Sequence, residues 1–238
     1  MPLYREEGIV IRTYKLGEAD RIVVFLTKGR GKVRAVAKGV RKSGSRFGAR
    51  LEAPSHVSLQ LYEGRELDTI TQAVSIDHFR TIREDLDSIA HSSAMLEAVD
   101  HMSQEGEPNP QLFTMLLGAL RTLAADAHPL VTPAFFWKLL ALEGFRPVVD
   151  GCVACGRDDD LVAFDLEEGG VLCTLHRRGQ SISPGAVHVL QLILGGRLAA
   201  ALAEPVGPAT AEVDHLATRA MEHHLERRLR SVTVLDHH

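Results

Sequence analysis

Three cysteines and one histidine are the residues of this chain best placed for chemistry. Cys152-Val153-Ala154-Cys155-Gly156 and Cys173-Thr174-Leu175-His176 make the pattern C-x2-C-x17-C-x2-H, which uses every cysteine of the 238 residues. Two ligands three apart on a tight turn can hold one ion together. A second such turn completes a tetrahedron of three thiolates and one imidazole, the donor set that a structural Zn2+ takes. Gly156 suits the turn after the second cysteine, and residues 161–172 read as a hairpin about Glu167-Glu168-Gly169-Gly170 that would bring the two pairs together. Four protein ligands leave no position for water, so one such ion would hold the fold together and activate no substrate. A redox C-x-x-C is the other reading, but it would open a helix after a strand and has no use for the second pair. A zinc deaminase needs H-x-E ahead of its C-x-x-C. Here His224-Leu225-Glu226 comes after it.

No phosphate-binding glycine loop, H-E-x-x-H or G-x-S-x-G occurs, and Asp158-Asp159-Asp160 reads as a solvated turn. The expectation is a protein that is not an enzyme. The paired His223-His224 and His237-His238 read as surface residues.

The second signal is charge. Residues 28–50, KGRGKVRAVAKGVRKSGSRFGAR, hold nine cations and no acid, in a chain of formal net charge -4. These are Lys28, Arg30, Lys32, Arg34, Lys38, Arg41, Lys42, Arg46 and Arg50. Acids stop at Asp20 and resume at Glu52, so the cations repel one another unless a polyanion meets them. Up to Arg80 the chain carries fifteen basic and nine acidic residues, +6, and beyond it twelve and twenty-two, -10. The two parts differ in kind. A nucleic-acid surface is the first reading of the run. An RNA- or ribosome-associated barrel, and an adaptor gripping an acidic protein, remain open alternatives beside DNA.

Short strands must position the cations. Residues 8–17, 21–27, 32–38, 56–61 and 67–76 alternate or form apolar blocks between turns, with a long Gly/Ser loop after the third. Five strands so spaced fit a small closed barrel of the oligonucleotide-binding (OB) type, with an SH3-like barrel as competitor. From Thr81 the period becomes helical. Helices are expected at 89–102, 111–125 and 133–142, which look like a bundle, then at 185–194 and 209–230, the last with Arg227, Arg228 and Arg230 in its final turn. The expected domains are a barrel at 1–80, a helical bundle at 81–148, a zinc-ribbon insertion at 149–180, and closing helices at 181–238. No apolar run approaches the roughly 18 residues of a membrane helix, and the N-terminus lacks a signal peptide's pattern, so a cytoplasmic protein is expected.

Read in order, G-I-V-I-R, G-E-A-D-R-I, G-K-V-R-A-V-A-K-G-V-R, S-R-F-G and L-Q-L-Y-E-G-R-E-L-D-T-I strongly resemble the RecO family of bacterial recombination mediators. The match is close over about the first 75 residues and looser beyond. It implies an OB barrel followed by an α-helical domain with a zinc-binding insertion. It also implies binding of single- and double-stranded DNA, annealing of complementary strands, and work with RecR, and often RecF, to load RecA onto strands covered by single-strand binding protein (SSB). In this chain the family's basic barrel surface falls on Lys32, Arg34, Lys38, Arg41, Lys42 and Arg46, and its zinc positions on Cys152, Cys155, Cys173 and His176. The resemblance further implies a pocket for the acidic, Phe-ending SSB tail in the helical part, and a place in the cytoplasm at the nucleoid.

Overall fold

The computed structural model describes residues 2–45, 47–229 and 231. The chain divides into two compact units, one of residues 1–126 that also takes in Leu229 and Ser231, the other of residues 127–228.

The first unit is built on a closed barrel in the order β1-β2-β3-β5-β4. Its strands are β1 (Leu3–Leu16), β2 (Asp20–Thr27), β3 (Gly31–Ala37), β4 (Ser55–Tyr62) and β5 (Asp68–Asp77). β1 pairs with both β2 and β4, and a short parallel pairing of β3 with β5 closes the ring. This is the five-stranded OB architecture. Alternation dictates it: Val10, Val23, Phe25, Val33, Ala35, Val57, Leu59, Leu61 and Ile70 point inward into one core cluster. The long connection from β3 to β4 does not hang free. A single 3-10 turn, Gly48–Leu51, seats Phe47 and Leu51 in that core at 1 % exposure each, so the basic loop is anchored at its far end.

Three helices complete this unit: α1 (Arg80–Glu84), α2 (Leu86–Met102) and α3 (Pro110–Ala125). Asp85 caps α2 by accepting from the Ser88 amide at 2.8 Å. Asn109 caps α3 in the same way, and Pro110 opens it. α2 packs on β1, and α3 packs on α1 and α2 and touches β2.

The second unit holds α4 (Val131–Leu142), a ribbon of β6 (Leu161–Asp165), β7 (Gly170–Cys173) and β8 (Gln180–Ser181), and the helices α5 (Pro184–Leu194), α6 (Leu198–Leu202) and α7 (Pro208–Leu225). α4 packs against α5 and α7, not with α2 and α3 as a bundle of the first three long helices would require. An apolar stripe says that a helix has a buried face, not which partner buries it.

α7 ends at Leu225, five residues short of the expected end. Glu226 takes a left-handed conformation (φ 51), while the Arg227 amide reaches back to the Glu222 carbonyl and the Glu226 amide to that of His223. This closing motif favours glycine, and a glutamate gives no stop signal in the sequence. Arg227 and Arg228 therefore lie beyond the helix and cannot oppose its dipole from a last turn, and Arg230 lies outside the described residues. No described helix is long and apolar enough to cross a membrane.

Candidate metal centre and nucleic-acid interface

The residues that could hold a metal come from two turns of the second unit. Cys152 opens the first: its carbonyl accepts from Cys155 at 3.3 Å and Gly156 at 2.7 Å, and Gly156 has φ 76, a conformation that costs other residues more. Cys173 ends β7, and a single 3-10 turn, Thr174–His176, swings His176 back toward it. The antiparallel β6–β7 hairpin carries the second pair to the first. The Cys173 sulfur lies 3.4 Å from His176 Nδ1, the Cys152 sulfur 3.8 Å from the same nitrogen, and the Cys155 and Cys173 sulfurs 3.9 Å apart. All four donor atoms fall within 4.8 Å of one another. Bonds of about 2.3 Å to sulfur and 2.0 Å to nitrogen around a tetrahedral ion require edges of about 3.5 to 3.8 Å, so these three separations are close to those of a bound ion. Among the described residues this is the one cluster of three or more His, Cys, Asp or Glu side chains so arranged.

Burial alone would raise the Cys152 thiol. The amides of Cys173, Ala154 and Cys155 outweigh it and bring the thiol down to about 6. At Cys155 the Arg157 amide favours the thiolate, but burial and the neighbouring thiols prevail and push it up. Amides aimed at a sulfur that would carry negative charge are what a metal turn needs.

The cations of the 28–50 run are spread along β3 and past both its ends. Lys32, Arg34, Val36 and Lys38 have outward parity while Val33, Ala35 and Ala37 are buried. With a rise of about 3.4 Å per residue, β3 keeps Lys28 and Arg30 about 20 Å from Lys38. At the near end, Arg30 lies over the Tyr4 ring at 3.9 Å and 3.7 Å from Glu63. The Tyr4 hydroxyl donates to Asp68, and burial and that bond raise its pKa. Lys32 is covered by α2, donating to the Asp100 carbonyl at 2.6 Å with the Asp100 carboxylate 3.6 Å away, and Arg34 faces Glu105 at 3.5 Å. The loop after α2 is pinned here by its backbone: the Lys32 amide donates to the Gln104 carbonyl at 3.2 Å. A side chain at Gly31 (φ 69) would come within 2.1 Å of the Glu107 carbonyl.

Beyond the far end of β3, Lys38, Arg41 and Lys42 are exposed. Arg41 lies against the β1–β2 turn, its amide donating to the Ala19 carbonyl at 3.0 Å and its guanidinium to that of Gly17 at 3.3 Å. Asp20 receives the Gly39 amide at 2.7 Å, which ties the start of the loop to β2.

A family model described as Recombination protein O N terminal matches residues 1–79, and one described as Recombination protein O C terminal matches residues 83–233. The chain belongs to the RecO family of DNA repair proteins. It is 43 % identical over 242 residues to a protein of Frankia casuarinae named DNA repair protein RecO, covering 99 % of each chain. It is also 43 % identical over 245 residues to a protein of that name from a Nocardioides species, covering 98 % of this chain and 99 % of the other.

For this RecO-family chain, then, the structure brings Cys152, Cys155, Cys173 and His176 together. It sorts the nine cations by environment. Lys28, Lys38, Arg41, Lys42 and Arg50 are exposed, Arg30, Lys32 and Arg34 meet carboxylates or a carbonyl, and Arg46 lies outside the described residues. Two further cations lie on β1. Lys15 is exposed and lies opposite Arg21, which lies opposite Ala37, so β2 stands between it and the start of the basic loop. Arg12 lies over Tyr14 at 4.8 Å and bonds Asp100 at 2.9 Å. Both fall within the first strand, where a charge count gives no signal. His224 is half-buried, its ring 3.9 Å from that of Phe145, so it is not a plain surface residue.

Proposed function

We propose that this chain is a non-enzymatic recombination mediator of the cytoplasm and nucleoid. It holds single- and double-stranded DNA on the barrel through phosphate contacts, anneals complementary strands, and with RecR, and functionally RecF, helps load RecA onto SSB-coated single strands. The observation that carries the reading is the exposure of Lys38, Arg41 and Lys42 in one short stretch beyond β3, with Arg41 against the β1–β2 turn, on a barrel of a type that binds oligonucleotides. Phe47 and Leu51, buried in the barrel core, anchor the loop at its far end. A surface that neutralises backbone and leaves base edges free lets two strands pair. The metal of the Cys3His cluster is one structural Zn2+, which the donor set and its separations support.

A cleft in the second unit has the apolar lining to take the phenylalanine of a Phe-ending SSB tail. About 490 Å³ in volume, it is lined by Trp137, Leu140, Phe145 and Phe164, with Arg146 and His223 at its wall beside Glu167, Glu168 and Glu226.

The test is annealing of complementary DNA strands followed by energy transfer between end labels, with the native chain and Lys38→Glu/Arg41→Glu/Lys42→Glu. Native protein accelerates annealing and the variant does not. Lack of acceleration by the native protein at low salt would overturn the reading, and tenfold tighter binding to RNA of the same sequence would move it to RNA.

A further inference from the structure

On the outward side of the barrel the register sets Tyr14 of β1 against Ile22 of β2, and Ile22 against Val36 of β3. Strands about 4.8 Å apart make this a row about 10 Å long. The row before it, Arg12, Val24 and Arg34, is closed off: Val24 is buried, and Arg12 and Arg34 pair with Asp100 and Glu105 from α2 and the loop after it. The Tyr14 row has no such cover. Tyr14 is 41 % exposed, and Ile22 and Val36 are half-buried.

Cations border these apolar side chains. Arg34 and Lys38 stand on either side of Val36 along β3, and Arg41 lies against the β1–β2 turn. The Arg12 guanidinium, held by Asp100 at 2.9 Å, sits 4.8 Å from the centre of the Tyr14 ring. A ring already fixed by a neighbouring guanidinium loses little side-chain freedom when another flat group stacks on it. Pure phosphate contact has no use for an exposed apolar row between its cations. Apolar surface alternating with positive charge repeats the alternation of base and phosphate in an unpaired strand.

We propose that the row Tyr14, Ile22 and Val36 receives unpaired bases while Lys38 and Arg41 hold the flanking phosphates, so that the barrel prefers single strands to duplex. This rests on the DNA-binding reading above. In a duplex the bases stack on one another and only the phosphates remain to be held. Annealing on this surface therefore weakens its own grip: as bases pair they leave the row, and the duplex product departs more readily than either strand.

The test is fluorescence anisotropy at low salt with three probes of equal length, an oligo-dT strand, an abasic strand and a duplex, against native protein, Tyr14→Ala and Tyr14→Phe. Tyr14→Ala is expected to weaken oligo-dT binding by about fivefold or more while leaving the abasic strand and duplex within about twofold, and Tyr14→Phe to bind as the native chain does. Equal affinity of native protein for oligo-dT and the abasic strand, unchanged by Tyr14→Ala, would overturn the proposal and leave phosphate binding standing. Equal weakening of all three probes would also overturn it, since the residue would then act through the fold. Failure of native protein to bind any probe would remove the DNA-binding reading itself.

Discussion

Neutralising the far end of the basic run, Lys38→Gln/Arg41→Gln/Lys42→Gln, has an effect that can be worked out from the surface. These three side chains are exposed, and only Arg41 makes a described side-chain bond, to the Gly17 carbonyl. With Lys15 and Lys28 they make five cations for phosphates, since Arg30 and Arg34 already face Glu63 and Glu105 and Arg50 has a partner of its own. Each phosphate neutralised on a single strand contributes about 0.7 to the slope of log K against log salt, so the native slope should be about -3.5 and that of the variant about -1.4. The same relation makes three lost contacts about two decades of affinity at 0.1 M salt, or about 3 kcal/mol, and almost nothing at 1 M. Anisotropy of a labelled single strand over 0.05 to 0.5 M salt reads both quantities. The two lines should converge on extrapolation to about 1 M. Parallel lines, or a loss of less than about threefold at 0.1 M with an unchanged melting temperature, would refute the assignment of the DNA surface to this loop.

Three further outcomes are expected. Purified protein should contain about one zinc per chain, and Cys173→Ser should lose it and lower the melting temperature, with metal content read by emission spectroscopy; full retention of zinc would discount the Cys3His site. Glu105→Gln frees Arg34 from its carboxylate and should tighten single-strand binding about two- to threefold, whereas Glu107→Gln, the same charge change in the same loop, should do less; equal gains would mean that only net charge matters. The Ser88 hydroxyl and amide hold the Asp85 carboxyl below its usual range, so its capping of α2 is fully present above that range and lost as pH falls through the lowered value. The gap in melting temperature between native protein and Asp85→Ala should therefore be constant near neutral pH and close as the pH drops below about 4, and a gap that persists unchanged at pH 2 would count against the cap.

Much of the barrel was legible because its code is local. Alternation along β3 put Val33, Ala35 and Ala37 inside and Lys32, Arg34 and Lys38 outside, as found. The Cys3His cluster was equally legible, since Cys-x2-Cys and Cys-x2-His are turns whose geometry their own residues set. The end of α7 was not, because the residue that takes the left-handed conformation is Glu226, where the usual signal is a glycine. Helix partners escaped for a related reason: the stripes of α2, α3 and α4 are alike in kind, yet α4 lies in another unit.

By itself, then, the sequence determined the strands of the barrel, the ligand set of the metal centre and an acid-free run of cations, because each depends on residues a few positions apart. Which of those cations are available was decided only in three dimensions. Asp100 and Glu105, about seventy residues downstream, reach Lys32 and Arg34, while Arg41 is drawn to the β1–β2 turn. Tertiary structure also set Tyr14, Ile22 and Val36 side by side from three strands. Coulomb pairing and stacking act through distances of a few ångströms in space, and separation along the chain carries no record of them.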